Sequence, residues 1–274
     1  MIAFIFWLCV LSILYTYLGY PLLLALLARL RPMPQWDESF TPSVTLLIAA
    51  YNEQAVIARK LDNACSLDYP AERLQIIVAA DGSDDDTPTI VRQYVGRGVE
   101  LAYQPERRGK MAAINRAMAQ AGGDIVVFSD ANNLYERDAL RRLVRPLADP
   151  GVGVVSGAKH IQKSLGSLSD SEGLYWKYES FIKKQESRLS SCVGAAGEIM
   201  AIRRSLYEAP PGHIINDDFY VATQAIRKGY RAVYLPEARS FETVSVSAGE
   251  EMARRARIVA GRYQALWLAP TLLP

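Results

Sequence analysis

Three short acidic clusters stand where apolar runs end. Tyr51-Asn52-Glu53 follows the run at 44–49, Asp81-Gly82-Ser83 follows 74–79, and Asp130-Ala131-Asn132 follows 124–128. A carboxylate at the end of a strand can accept a hydrogen bond from a base or a ribose, or hold a hard cation through oxygen. Gly82 lets backbone approach a ligand closely. Any one of these clusters alone reads as a turn or a helix cap. Three of them converge on one edge of a sheet, and open α/β sheets bind ligands outside the carboxyl ends of their strands.

The elements that must hold these acids show as an alternation. Apolar, partly β-branched runs at 44–49, 74–79, 99–103, 124–128 and 152–156 predict strands. Helical patterns at 54–64, 86–95, 109–121 and 136–147 lie between them. Thr87 is predicted to cap the second helix with Pro88 at its first position, and Asp138 to begin the fourth. A further helix at 217–228 closes on Gly229 before a short strand at 231–235. The fold class is therefore α/β, a mainly parallel sheet flanked by helices. Such an architecture suits nucleotides, but function has to be argued from the site.

With 274 residues, half of them hydrophobic and 22% charged, the chain can bury a large core and is no disordered segment. Lys and Arg number 31 against 29 Asp and Glu, so no basic excess points to nucleic acid. His160 and His213 with Cys9, Cys65 and Cys192 make neither a closed zinc set nor a paired-cysteine framework.

Residues 1–28 contain no Asp, Glu, Lys or Arg. At about 1.5 Å per residue that run can cross a hydrocarbon core of about 30 Å. An uncharged start and a long apolar stretch favour a single membrane helix over a secretory leader. Pro21, preceded by Gly19, is expected to kink or end it. Arg29 and Arg31 place the following chain on the cytoplasmic side by the positive-inside bias.

Five motifs in order carry a resemblance: Tyr51-Asn52-Glu53, Asp81-Gly82-Ser83, Gly109-Lys110 before Ala112-Ala113-Ile114-Asn115, Ser129-Asp130-Ala131-Asn132, and Asn216-Asp217-Asp218. Their order and spacing resemble those of the family 2 glycosyltransferases. The chain looks like a membrane-anchored, inverting member of the GT-A fold, similar to the cellulose, chitin and hyaluronan synthase branch. The resemblance spans roughly 42–261. It implies a UDP-sugar donor and Mg²⁺ or Mn²⁺ as cofactor. It implies that Asp81 contacts the uracil, that Asn52 and Glu53 lie near the uridine, and that Lys110 lies near the nucleotide. The family's D-x-D element, which holds the cation on the diphosphate, reads here Asp130-Ala131-Asn132. Asn132 offers an oxygen but no charge, so lower metal affinity is expected. Ala80 stands where the family often has a second acid.

Inverting transfer needs one carboxylate to take the acceptor's proton while the leaving group is neutralised opposite it. Asp218 lies eleven residues before Gly229, the offset at which the resemblance implies the general base. Adjacent Asp217 could raise its pKa or simply favour the helix N-terminus. Gly194-Ala195-Ala196-Gly197-Glu198, with Arg203-Arg204 after it, resembles the family's acceptor loop, which makes Gly197 and Glu198 candidates for substrate binding. The processive synthases carry a Gln-x-x-Arg-Trp element near the position of Arg254-Arg255-Ala256-Arg257-Ile258. Arg254 and Arg257 are therefore candidate diphosphate contacts. Ile258 in place of Trp removes acceptor stacking and favours transfer of one or few sugars. The same stretch also reads as a basic helix near anionic lipid.

The organisation expected is a membrane anchor at 1–31, a linker at 32–43, a catalytic domain at 44–240 and an interfacial helical segment at 241–274. Processive relatives continue beyond such a segment into further membrane helices. The expected acceptor is a saccharide or glycolipid at the membrane. Two other readings stay open: a nucleotidyltransferase on a similar sheet, and a catalytically silent relative that binds nucleotide-sugar within a synthase complex.

Overall fold

The computed structural model describes residues 1–162, 169–192, 194–212, 214–243, 252, 256–261, 263–264 and 267. The chain begins as one helical rod. Helix α1 (Ile2–Leu14) runs into α2 (Tyr20–Arg29) through a π-helical turn at Tyr15–Gly19. Together they form one helix, Ile2–Arg29, long and apolar enough to cross a membrane. Of the two outcomes expected at Pro21, a kink or an end, the helix does not end there, and α1 gives way to a π turn just before it. Pro21 occupies the first turn of α2, where a missing N–H is tolerated, and the irregularity falls in the π turn before it.

The remaining elements follow in the order β1 (Val44–Ala50), α3 (Ile57–Cys65), β2 (Leu74–Asp81), α4 (Thr87–Arg92), β3 (Val99–Gln104), α5 (Lys110–Met118), β4 (Ile125–Asp130), β5 (Asn133–Tyr135), α6 (Ala139–Val144), β6 (Val152–Gln162), α7 (Ser169–Leu189), β7 (Met200–Arg203), α8 (Asp217–Arg227) and β8 (Arg231–Thr243). The strands make one sheet in the order β3-β2-β1-β4-β7-β6-β8-β5. Pairs β1–β2, β2–β3, β1–β4 and β6–β8 are parallel, while β7 runs antiparallel to both neighbours and β5 antiparallel to β8.

Alternation along β1 divides the core into two layers, because successive side chains leave a strand on opposite faces. Leu46 and Ile48 pack with Ile57 and Leu61 of α3 and Leu140 and Leu143 of α6. Leu47 goes to the other face, with Ile114 and Ala117 of α5 and Val221 and Ala222 of α8. Burying each of the larger side chains contributes about 1.5–3 kcal/mol, so Leu46→Ala would cost about 2–5 kcal/mol. The two layers fix the carboxyl ends of β1, β2 and β4 side by side.

Further features depart from the sequence reading. Helix α7 and strand β5 were not anticipated, and β6 and β8 run well past 156 and 235. Thr87 does not cap α4; its Oγ1 accepts the N–H of Glu53 at 2.8 Å and ties the end of β1 to α4. Asp138 does precede α6, but its carboxylate pairs with Arg142 rather than with backbone.

Candidate active site

The cleft opens at the carboxyl ends of β1 and β4, between the N-termini of α5 and α8. The space between its walls, open mouth included, is about 360 Å³. Lys110, Asp130, Gly197, Asp217 and Asp218 form its polar wall, and Phe128, Met200, Tyr207 and Val221 belong to its apolar floor. Residues from four separate stretches of the sequence are thus brought together by the ends of β4, α5 and α8 and by the turn before β7.

Lys110 begins α5 because Gly109 before it adopts φ +94, a backbone that side chains disfavour. Its ammonium donates to Asp130 Oδ1 at 2.9 Å. Enclosure works to lower the lysine pKa, but Asp130, Asp217 and Asp218 together raise it above its ordinary value. Enclosure likewise works to raise Asp130, and Lys110, with Lys159 and Lys60 behind it, holds that carboxyl below the usual carboxylate range. At neutral pH the pair is therefore an ion pair facing the cleft.

Asp218 sits in the first turn of α8. Its Oδ2 accepts the Gly197 N–H at 3.2 Å and its Oδ1 the Phe219 N–H at 2.7 Å. Burial first, and then the charge of Asp217, push its pKa up from 3.8 to about 6. Glu198 adds to this and Lys110 opposes it. A carboxyl tuned in this way is suited to taking a proton near neutrality.

Asp81, 3% exposed, lies one strand further out. Its Oδ2 accepts the N–H groups of Arg108 at 2.9 Å and Gly109 at 2.6 Å, which fixes the turn that leads into Lys110. Its Oδ1 is buried without a hydrogen-bond partner among the described residues, and the Arg116 guanidinium stays 3.9 Å away. Gly82 is required here, since a Cβ would lie 2.6 Å from the Arg107 backbone nitrogen. Asn52, at φ +53, exchanges hydrogen bonds with Asp84. Glu53 is half-buried, and burial, with Asp130 and Asp85 nearby, raises its pKa.

Asn132 lies at the rim, where its amide donates to Glu242 Oε1 at 2.8 Å. Lys159 is ion-paired with both Glu242 and Glu198, so Asn132, Glu242, Lys159 and Glu198 form one chain of contacts. The pairing of β5 with the end of β8 brings them together. Arg254 lies outside the described residues. Arg257 is exposed on a helical segment whose next residue, Ile258, accepts the Asn216 amide at 2.9 Å, directly before Asp217.

Sequence reasoning missed several neighbours of the site. Lys60 of α3 is fully buried and donates to Ser129 Oγ at 2.7 Å and the Asn133 carbonyl at 2.5 Å, bracing both ends of the Asp130-Ala131-Asn132 turn. Burial lowers its pKa to about 7, against the opposing effect of Asp130. Tyr207 lines the cleft and bonds Asn115, and the Arg107 guanidinium stacks 3.9 Å from the Tyr51 ring centroid beside Asp81's turn. Lys60 did carry a signal, its place at i+3 in the apolar stripe of Ile57, Leu61 and Ala64, whereas Lys159 lies in β6 beyond the strand read at 152–156 and left none.

The sequence matches the family described as Glycosyl transferase family 2 over residues 45–209. It is 34% identical over 149 residues to the beta-monoglucosyldiacylglycerol synthase of Synechocystis sp., covering 53% of this chain and 31% of that protein. Against the poly-beta-1,6-N-acetyl-D-glucosamine synthase of Staphylococcus aureus it is 27% identical, covering 81% of this chain and 55% of that one. The chain thus spans from just under a third to a little over half of these curated relatives. Among solved structures, a mannosyltransferase from Pyrobaculum calidifontis in complex with GDP-Man and Mn²⁺ superposes with TM-score 0.79 at 30% identity, covering 95% of this chain and 74% of that one.

Proposed function

The chain belongs to glycosyl transferase family 2, a glycosyltransferase on the GT-A fold, and from that premise we propose that it moves a sugar from a UDP-sugar to a saccharide or glycolipid at a membrane, with inversion at the sugar carbon and Asp218 as general base. The observation that carries this reading is the pairing across one cleft of a carboxyl with pKa about 6 and a lysine–aspartate ion pair. The first can take a proton, and the second can meet a leaving diphosphate.

Asp218 would accept the proton of the acceptor hydroxyl, held toward the cleft by the N–H groups of Gly197 and Phe219. Asp217 keeps it basic by its charge. On the opposite wall Lys110 is placed to bind the diphosphate as charge develops on it. The orphaned Oδ1 of Asp81 suits an N–H of the nucleobase, with Asn52 and Glu53 beside it and Tyr51 as a ring to stack on. Gly197 lines the cleft with no side chain to cover its backbone, so an acceptor can lie against it, and Glu198 beside it and Arg257 on the segment that holds Asn216 stay candidates for acceptor and diphosphate contact.

The residues at the D-x-D position fit a divalent cation. Asp130 offers carboxylate oxygen, and Glu242 takes the amide hydrogen of Asn132, which leaves Oδ1 as the atom available for a metal. Hard cations such as Mg²⁺ and Mn²⁺ take oxygen ligands and commonly use only one or two carboxylates besides phosphate. When bound, the metal would neutralise charge on the diphosphate. We place the apolar helix in a membrane as a single anchor, with the domain organised as an anchor at 1–31, a linker at 32–43, a catalytic domain at 44–240 and a helical segment after it.

A GDP-linked donor is the second reading, favoured by the mannosyltransferase likeness. An orphaned carboxylate oxygen accepts equally from a purine N–H. Both are tested by nucleoside diphosphate release from the full chain in detergent, with UDP- and GDP-sugars, Mn²⁺ or Mg²⁺ and a membrane-lipid extract. The expected result is metal-dependent release from a UDP-sugar, with inverted configuration in the product. Release from GDP-sugars alone would replace uracil by guanine at Asp81; release from neither would favour a silent relative.

A further inference from the structure

The Asp130 carboxylate is held differently from that of Asp81. Asp81 Oδ2 takes the N–H groups of Arg108 and Gly109, which the backbone fixes. Asp130 Oδ1 takes the Lys110 ammonium at 2.9 Å, and that ammonium ends a flexible four-carbon stem. Only the root of the stem is fixed, by Gly109 at φ +94 and by the hold of Asp81 on the two residues before Lys110. Both side chains of the pair face the cleft and stay partly open, 48% and 39% exposed. The ammonium can therefore leave Asp130 without movement of the backbone.

Charge gives it a reason to leave. Asn132 supplies no second carboxylate to the 130–132 turn, and its amide is committed to Glu242 Oε1. Asp130 and Lys110 cancel, so the turn with its lysine carries no net charge. An aspartate at 132 would leave the same group one negative charge. A divalent cation that approaches this turn alone must share its one carboxylate with an ammonium of like sign. Burial works against the Asp130 charge, and Lys110 is the strongest of the three lysines that sustain it, ahead of Lys159 and Lys60. A diphosphate resolves the conflict, because it attracts the ammonium and brings oxygen ligands of its own. Asp217 and Asp218 also favour the lysine charge, which keeps the ammonium in the opening as it moves.

We propose that Lys110 competes with the divalent cation for Asp130 and yields it when the diphosphate of the donor arrives, so that metal and nucleotide bind as a coupled pair. Diphosphate also ligates metal directly, so Lys110 accounts for one part of the coupling, and variants at 110 read that part as a difference. The inference rests on the donor and metal reading above, so the test must separate the two.

Mn²⁺ binding to the full chain in detergent is followed by electron paramagnetic resonance of the free ion, without nucleotide and with saturating UDP or GDP, at matched free Mn²⁺. Lys110→Met keeps the stem and removes the charge, while Lys110→Gln removes the charge and keeps an N–H donor. Both are expected to bind Mn²⁺ alone about tenfold more tightly than the unsubstituted chain, and to lose about tenfold of the factor by which nucleotide tightens Mn²⁺. Coupling is reciprocal, so calorimetry of the nucleotide with and without Mn²⁺ is expected to return the same loss. Adding Asp130→Asn to Lys110→Met is expected to cancel the gain; a gain that survives places the ion elsewhere and overturns the proposal. Equal Mn²⁺ affinity, or an unchanged coupling factor, in either folded variant overturns the competition and spares the donor reading. No effect of UDP or GDP on Mn²⁺ binding to the unsubstituted chain overturns the donor and metal reading, and the competition with it.

Discussion

The Gly197 N–H points at Asp218 Oδ2 from 3.2 Å, and a Cβ on Gly197 would lie 3.0 Å from the Asp218 Cβ. No side chain fits there unless the carboxyl moves. Displacing a reacting group by about 1 Å can cost about a hundredfold in rate. Gly197→Ala is therefore expected to lower kcat by about ten- to a hundredfold while nucleotide binding, measured by calorimetry, stays within about twofold. A parallel loss of nucleotide binding would show that Gly197 serves the donor instead.

Asp218 is held against its own preference for the neutral form. A carboxyl with folded pKa about 6 and ordinary value 3.8 binds more protons folded than unfolded between those values. Stability therefore falls as pH rises through that window, and the full cost is present above pH 6. Asp218→Asn removes the charge and is expected to stabilise the protein by on the order of 1–2 kcal/mol at pH 7, after allowance for its opening to the cleft. At this chain length that is about 2–6 °C in Tm. The gain is expected to vanish at pH 4. A Tm gain independent of pH would assign it to something other than ionisation.

The same ionisation should govern the rate. Transfer is expected to fall with a single-proton limb near pH 6 as Asp218 is protonated. Since the Asp217 charge contributes to the upward shift, Asp217→Asn should move that limb to lower pH, as read from the pH profile of kcat/KM. A limb that stays in place would remove Asp217 as the tuning group.

Asn132 is not free to be exchanged for an acid alone. Its amide donates to Glu242, so Asn132→Asp sets two carboxylates against each other. The single variant is expected to lower Tm without improving the metal requirement. Combined with Glu242→Gln it is expected to lower the Mn²⁺ concentration for half-maximal rate by about tenfold, because ligand charge raises cation affinity. An unchanged requirement in the double variant would take residue 132 off the cation.

The placement of the strand-end acids was legible in the sequence because β1 lies between β2 and β4, parallel to both, so Asn52, Glu53, Asp81 and Asp130 had to emerge on one edge. Gly109 and Lys110 were read only through the family resemblance; the structure adds the local reason, a positive-φ glycine opening α5. What could not be read depends on long-range partners. Asn132 owes its environment to Glu242, 110 residues away, and Glu198 is joined to it through Lys159. Helix α7 mixes aromatic, basic and acidic residues because one side meets α2 and another is exposed, which blurs the two-faced pattern of a helix buried on one side only.

The most direct test compares nucleoside diphosphate release by the unsubstituted chain, Asp218→Asn and Asp217→Asn, at pH 7.5 with saturating donor and metal. A general base contributes about 10²–10⁴ in rate. Asp218→Asn is expected to lose about that much while still binding nucleotide, and Asp217→Asn to remain within about tenfold. Retention of the full rate by Asp218→Asn, or its loss only in Asp217→Asn, would contradict Asp218 as the base.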